Sequence, residues 1–170
     1  MPTIMFGKKL MIFTCIWLTL QSITAIQPAC SFPIPAKINF AGQTILLDRY
    51  DMRERFDREQ ISIAYNHSTS MLIIKKANKL FPIIEPILAQ YDIPDDFKYL
   101  AVIESNLEPR ALSPAQAAGI WQLMPKTGEQ LGLTINNEVD ERYHIEKATE
   151  AACRYFKSAF AKYNDWATVA

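Results

Sequence analysis

From Asp48 to the end of the chain, apolar residues recur three and four positions apart with charges between them, the mark of amphipathic helices. Asp48 is suited to cap the first, in which Tyr50, Arg53, Phe56, Gln60, Ile61, Ile63 and Ala64 follow at helical spacing. His67-Ser68-Thr69-Ser70 predicts a break and another cap, then a second helix over 71–80. Pro82 and Pro86 bracket a third over 81–91, with Pro82 in its first turn. Asp92 and Pro94 open a fourth, from Asp95 to Glu104, whose acidic first turn suits the helix dipole and which Pro109 ends. Ser113-Pro114 and Gly119 predict a loop, and Ile120 to Met124 is apolar except for Gln122. Pro125-Lys126-Thr127 starts a helix that stops at Gly132, and 140–143 reads as a short helical turn. A long helix over 145–163 places Ala148, Ala151, Ala152, Tyr155, Phe156, Ala159 and Phe160 on its apolar side, and Asp165-Trp166 begins a last one. Before Asp48 the pattern changes to two short extended pieces around Gly42, between Ile38 and Leu47, preceded by a Pro-rich arm. The fold class predicted is mainly α with a short extended N-terminal arm, and no internal repeat is present.

The first residues follow another pattern. Lys8 and Lys9 precede an uncharged run from Leu10 to Leu20, and Ser22-Ile23-Thr24-Ala25 is small and polar enough for processing. This predicts a secretory signal peptide over 1–25 and an exported, periplasmic protein. The apolar run falls short of the ~20 residues of a membrane span, although an uncleaved anchor helix is the alternative. The remaining organisation is an arm over 26–47 and one domain over 48–170.

Composition narrows the class. Of the 170 residues, 49 % are hydrophobic and 21 % charged, which is globular. The 18 basic and 18 acidic residues balance, so no nucleic-acid footprint is expected. Removing Lys8 and Lys9 with the signal leaves 16 basic against 18 acidic residues, a net of −2. Cys15 leaves with the signal, and Cys30 and Cys153 are too few and too far apart for a disulfide framework. Cys153 reads as a small buried apolar residue. Cys30 is a lipid-attachment candidate, although Gln27-Pro28-Ala29 lacks the aliphatic residue usual before such a site. Membrane attachment thus has two routes, through Cys30 or through an uncleaved signal. His67 and His144 are far apart and have no metal-ligand spacing, so neither a metal nor another cofactor is expected.

One carboxylate stands out. Phe97, Leu100, Ala101 and Glu104 fall at i, i+3, i+4 and i+7, which places Glu104 on the stripe meant for the core. It also lies at the C-terminal end of its helix, where the dipole disfavours negative charge. Both conditions favour the neutral acid, the form needed to protonate a leaving glycosidic oxygen. The plain alternative is that Glu104 sits at the edge of the stripe in water, and the residues around it decide between the two.

Those residues are Glu104-Ser105-Asn106-Leu107-Glu108-Pro109-Arg110-Ala111, Ser113-Pro114, and Ala117 to Gly128 (AAGIWQLMPKTG). Over Glu104 to Thr127 the sequence resembles the soluble lytic transglycosylase catalytic domain, above all its membrane-bound type D branch. That pattern has Glu-Ser, a Ser nine residues after the Glu, and Gly-Leu/Ile-x-Gln-x-Met-Pro-x-Thr. The resemblance extends more loosely upstream to about Asp48 and downstream through Asp140-Glu141-Arg142-Tyr143 and Ile145-Glu146-Lys147-Ala148 to Trp166. It implies a lysozyme-like α-helical fold that acts on peptidoglycan glycan strands without a cofactor. The bond cleaved would be the β-1,4 link between N-acetylmuramic acid and N-acetylglucosamine. Glu104 would protonate the leaving oxygen and then take a proton from the muramic acid's own C6 hydroxyl, which closes a 1,6-anhydro ring. By position, Ser113, Gln122 and Met124 would line the sugar subsites, the Gly119 backbone would lie close to the glycan, and Ser105 would help to seat Glu104. Trp121 and Leu123 read as ordinary core, and Glu108, the nearest second acid, is expected to face solvent.

The sequence departs from the family at its end. The family follows its Trp-containing helix with Ala-Tyr-Asn, whose Tyr sits near the catalytic acid, whereas here the sequence stops after Trp166-Ala167-Thr168-Val169-Ala170. The expectation is a domain incomplete at its C-terminus. Two other functions follow as rivals: a hydrolase of the same bond, in which water replaces the C6 hydroxyl, and a non-catalytic peptidoglycan-binding protein. Oligomeric state is not legible.

Overall fold

A tight hairpin begins the computed structural model, which describes residues 32–170. The proposed signal segment, Cys30 and the start of the arm lie outside the described residues. Strands β1 (Lys37–Phe40) and β2 (Gln43–Leu46) pair antiparallel with Ile38 opposite Ile45 and Phe40 opposite Gln43. Ala41 and Gly42 form the two-residue turn at φ 51° and 76°. Positive φ at both positions is what a type I′ turn needs to match the twist of its strands, and Gly42 adopts it without strain.

Helices α1 (Tyr50–Tyr65) and α2 (His67–Gln90) follow. Two expectations change here. Arg49, not Asp48, occupies the N-cap of α1, and its side chain makes no cap bond. The expected break at 67–70 shrinks to Asn66, because His67 to Ser70 already form the first turn of α2 and the Ser70 hydroxyl donates back to the Ile63 carbonyl at 3.0 Å.

The helices expected over 71–80 and 81–91 are one 24-residue helix with Pro82 and Pro86 inside it. Each proline lacks the N–H that would bond four residues back, which frees the carbonyls of Asn78 and Pro82. Asn78, Pro82 and Pro86 form one exposed stripe at i, i+4 and i+8, so water can satisfy what the prolines leave open. Leu80, Ile84 and Leu88 form the opposite stripe at 3 %, 0 % and 0 % exposure. Burial of that face holds the helix together through two breakers.

A 3-10 turn over Asp95–Phe97 leads into α3 (Lys98–Ser105). It ends four residues before Pro109, because Asn106 and Leu107 adopt φ 51° and 55°. Their N–H groups close the end on the Val102 and Ala101 carbonyls, and buried Leu107 anchors the reversal. Then come α4 (Pro125–Gln130), a 3-10 turn over Glu141–Tyr143, α5 (Ile145–Tyr163) and α6 (Trp166–Val169). These agree with the sequence reading.

Ile34–Ala170 is one compact unit with Phe97 at its centre. The Phe97 ring is fully buried and meets Phe156 at 4.9 Å, Trp166 at 5.1 Å and Phe40 at 5.7 Å between centroids. Ala148, Ala151 and Ala152 keep the buried face of α5 flat, and with Phe156 they join Leu80, Ile84 and Leu88 of α2 in one core cluster. Cys153 is buried there as a free thiol, pushed up to about 12 by burial, which fits its reading as a small apolar residue. The hairpin is tied to this core at two points. The Ala41 N–H donates to Asp96 at 2.7 Å, and the Gln43 side chain bonds both Asp165 and the Ala167 N–H at the start of α6.

Lys98 is buried between Glu85 at 2.7 Å and Asp95 at 2.6 Å, which fastens the start of α3 to α2. Burial disfavours its charge, but the two carboxylates outweigh that and hold the ammonium above its ordinary range.

Candidate active site

A cleft of about 360 Å³ opens between α3, the 121–127 segment, α5 and the end of α6. Glu104 lines it together with Leu100, Trp121, Gln122, Leu123, Met124, Thr127 and Tyr155. Glu104 is the one acidic side chain in that lining among the described residues.

The burial expected of Glu104 is not found: its side chain is exposed. The apolar stripe of α3 closes one turn earlier, with Phe97 and Ala101 at 0 % exposure and Leu100 half-buried. The chain reverses at Asn106, and Leu100 and Glu104 of α3 face the cleft. Glu104 is therefore a carboxylate on a rigid helix end, open to whatever enters.

The Ser105 hydroxyl lies 3.0 Å from both the Ala101 and the Ile120 carbonyl oxygens. It links α3 to the loop that forms the facing wall, and it is not part of the lining. It therefore holds the frame around Glu104 instead of meeting a ligand directly. Lys76 of α2 steadies the turn after Glu104 from outside, donating to the Asn106 carbonyl at 3.2 Å and to Glu108 at 3.0 Å. Glu108 is exposed and lies outside the cleft lining, in line with its sequence reading. The Lys76 ammonium holds its carboxyl below the usual range.

The wall itself is a knotted loop. The Ser113 N–H donates to the Ala117 carbonyl at 2.8 Å, and the Ser113 Oγ accepts the Ala117 N–H at 3.0 Å. Ala118 then pairs with Leu123 through two bonds of 3.1 Å. The Ser113 hydroxyl thus serves its own loop and does not reach the cleft lining.

Gly119 is buried too, and its requirement for glycine comes from the protein. A Cβ there would lie 1.9 Å from the Arg142 carbonyl oxygen, at a φ of 76°. Gly119 thus has a packing role in the protein itself: it lets the loop press against the backbone of Arg142.

Gln122 and Met124 do line the cleft. Gln122 adopts φ 45°, an unusual backbone for a non-glycine residue. Its Nε2 donates to the Gly119 carbonyl at 2.8 Å and lies 3.4 Å from that of Ala111, so two acceptors fix the amide's orientation. Met124 is 43 % exposed at the N-cap of α4. Trp121 and Leu123 are buried at 6 % and 8 % exposure, as their core reading requires, and each shows an edge to the cleft.

Sequence reasoning did not single out the other lining residues, among them Leu100, Thr127, Tyr155 and Val169. Tyr155 reads as core on the apolar side of α5 but is 48 % exposed. It follows the lining residue Ala152 by three positions and precedes Phe156, so its helix face was the available signal.

Arg142 holds these parts together. It is 5 % exposed, and its Nη1 donates to the Gln116 carbonyl at 2.7 Å and the Leu123 carbonyl at 3.0 Å. Its Nε and Nη2 bind Asp140 at 2.9 Å and 2.7 Å. That pairing holds the Asp140 carboxyl below its usual range. Among the described residues no three His, Cys, Asp or Glu side chains group as a metal site would need. None of the described helices is long and apolar enough to cross a membrane.

Comparison with known proteins matches residues 81–170 to a family model described as the transglycosylase SLT domain. Two curated relatives are the membrane-bound lytic murein transglycosylase D of Escherichia coli strain K12 and that of Escherichia coli O6:H1. Each is 39 % identical over 61 residues, covering 36 % of this chain and 14 % of the relative's own length. The match thus spans a small part of those longer proteins.

Proposed function

This chain belongs to the transglycosylase SLT domain family, and from that premise we propose that it is a peptidoglycan lytic transglycosylase with Glu104 as its acid–base residue. The observation that carries the proposal is a single acidic side chain, exposed, in a cleft whose other lining side chains are apolar or neutral polar. Most glycosidases flank the scissile bond with two carboxyl groups, one of them to activate water or to attack the sugar. A cleft with one acidic side chain suits a reaction whose nucleophile belongs to the substrate.

In that reaction Glu104 gives its proton to the oxygen between N-acetylmuramic acid and N-acetylglucosamine as the bond from C1 to that oxygen breaks. The resulting carboxylate takes the proton of the muramic acid's C6 hydroxyl, and the C6 oxygen bonds to C1. The products are a free N-acetylglucosamine end and a 1,6-anhydromuramic end; no water is consumed and Glu104 regains its starting form. A glycan seated in the cleft would displace water from Glu104, so the desolvation that favours a proton donor would come from the substrate. The Gln122 amide, fixed through its Nε2, presents its Oε1 to sugar hydroxyl or acetamido N–H groups. Met124 and the Tyr155 ring supply apolar surface for the faces of the sugar rings. Murein as substrate goes with export, for which the apolar run at the start of the sequence speaks.

The test is mass spectrometry of products from purified sacculi incubated with the chain and with Glu104→Gln. Anhydromuropeptides from the unaltered chain, lost with Glu104→Gln while glycan binding persists, are expected. Reducing ends in their place would mean hydrolysis. Binding without either product would mean a glycan-binding protein.

A further inference from the structure

We propose that Arg142 is a positioning residue for the glycan-cleaving site, holding the loop wall that carries Gln122, Leu123 and Met124 opposite Glu104. The inference rests on the reading of the cleft as a glycan-cleaving site, and it assigns a role to a residue that touches no substrate.

Arg142 lies in the 3-10 turn before α5, outside the cleft lining. From there it grips the 111–124 loop in two ways and packs under α4 in a third. One nitrogen, Nη1, bridges the Gln116 and Leu123 carbonyls, seven residues apart on the two arms of the loop. The Arg142 backbone carbonyl fills the space that a side chain at position 119 would need. Its side-chain methylenes also pass 3.5 Å from where a Cβ on Gly128 would stand, beneath the first turns of α4. Gln122, with its unusual φ of 45°, lies between the two held points, Gly119 and Leu123. A residue in so sparsely populated a conformation stays there only if its neighbours fix it. Asp140 aims the guanidinium by binding its Nε and Nη2, which leaves Nη1 for the loop.

Lysine cannot substitute for this fork. A single ammonium can pair with Asp140 or reach the loop carbonyls, but it has no rigid plane to do both in fixed directions.

The experiment measures sacculus cleavage by the full chain, by Arg142→Lys and by Arg142→Ala, the last with and without millimolar guanidinium ion. Loop 111–124 is followed separately by amide hydrogen exchange. We expect kcat to fall roughly 10- to 100-fold in both variants, the scale of a small misplacement of reacting groups, with a much smaller change in KM. We also expect faster exchange at Ala118, Gly119 and Leu123 while the core of α5 stays protected. Guanidinium should restore much of the lost rate to Arg142→Ala, because the cavity keeps the Asp140 carboxylate and both carbonyls. A rate unchanged in both variants, or one that guanidinium does not restore although α5 remains protected, would overturn the proposal. If the unaltered chain cleaves nothing, the glycan-cleaving reading fails on its own. Exchange then decides this one: unchanged exchange in the loop of Arg142→Lys sinks it, and faster exchange confined to that loop upholds the positioning.

Discussion

The Trp121 indole N–H donates to the Thr149 hydroxyl at 2.9 Å, and that hydroxyl donates in turn to the Ile145 carbonyl at 2.7 Å. Thr149 is fully buried and Trp121 nearly so, which makes this short chain of bonds the polar seam between the cleft wall and α5. Thr149→Val keeps the shape of the side chain and removes the acceptor. A buried indole N–H without a partner costs about 1–3 kcal/mol. Urea unfolding of Thr149→Val should show that loss with an unchanged m-value.

Gly42 and Gly119 share a φ of 76° but not their surroundings. Nothing lies within 4 Å of a Cβ at Gly42, so Gly42→Ala carries only the left-handed backbone cost of about 1–2 kcal/mol. Gly119→Ala adds a contact of 1.9 Å with a backbone carbonyl, which cannot rotate away. Its cost should exceed that of Gly42→Ala by at least about 2 kcal/mol. Equal losses in thermal unfolding of the two variants would mean that the loop moves off Arg142 freely.

The contrast between these glycines marks what was legible in the sequence. The helices from α4 to α6 were, because α5 carries a long apolar stripe and Pro125, Asp140 and Asp165 mark the starts of α4, the 141–143 turn and α6. Asp165 caps α6 by accepting the Thr168 N–H at 2.8 Å, a local bond between residues three apart. The continuity of α2 was not legible, because Pro82 and Pro86 read locally as breaks. What overrides them is the burial of Leu80, Ile84 and Leu88, a tertiary effect.

The site divides in the same way. The position of Glu104 beside Gln122 and Met124 follows from the motif. Its exposure does not: the helical period extends the apolar stripe to Glu104, whereas in the fold the buried stripe ends at Ala101. Ser105, Ser113 and Gly119 are tied into the frame, where each sets a polar group or its bare Cα against backbone brought close by folding. Arg142 could not be singled out, because the carbonyls it holds are 26 and 19 residues away in sequence.

Glu108 tests the one-carboxylate reading. It is the acid nearest Glu104 in sequence, yet it pairs with Lys76 on the surface, where such pairs contribute about 0–1 kcal/mol. Glu108→Gln should leave glycan cleavage within about twofold of the unaltered chain, whereas Glu104→Gln should reduce it by roughly 10²–10⁴. A comparable loss from both, measured on the same sacculi, would bring a second carboxylate into the mechanism.

Asp140 makes the loop's anchorage depend on pH. Arg142 holds the folded-state pKa of Asp140 below the ordinary carboxylate range, through its side chain first and its backbone N–H as well. A depressed carboxylate pKa stabilises the fold fully above the unfolded value, and the contribution disappears as pH falls through the folded value. Asp140→Asn leaves Arg142 buried with its two loop carbonyls but without its counter-charge. Because Asp140 is partly exposed and those carbonyl bonds persist, the loss at neutral pH should be about 2 kcal/mol, below that of a fully buried broken pair. The difference between Asp140→Asn and the unaltered chain should stay constant from pH 7 down to about 4 and narrow below that. Glu141 is also lowered, to about 2, by Lys147 and the Thr134 N–H, and Asp165 by Thr168 and Gln43. Both are present in the two proteins and cancel in the difference. Urea unfolding across this pH range reads it directly, and a gap that persists undiminished below pH 3 would show that the Asp140–Arg142 charge pair is not what anchors the loop.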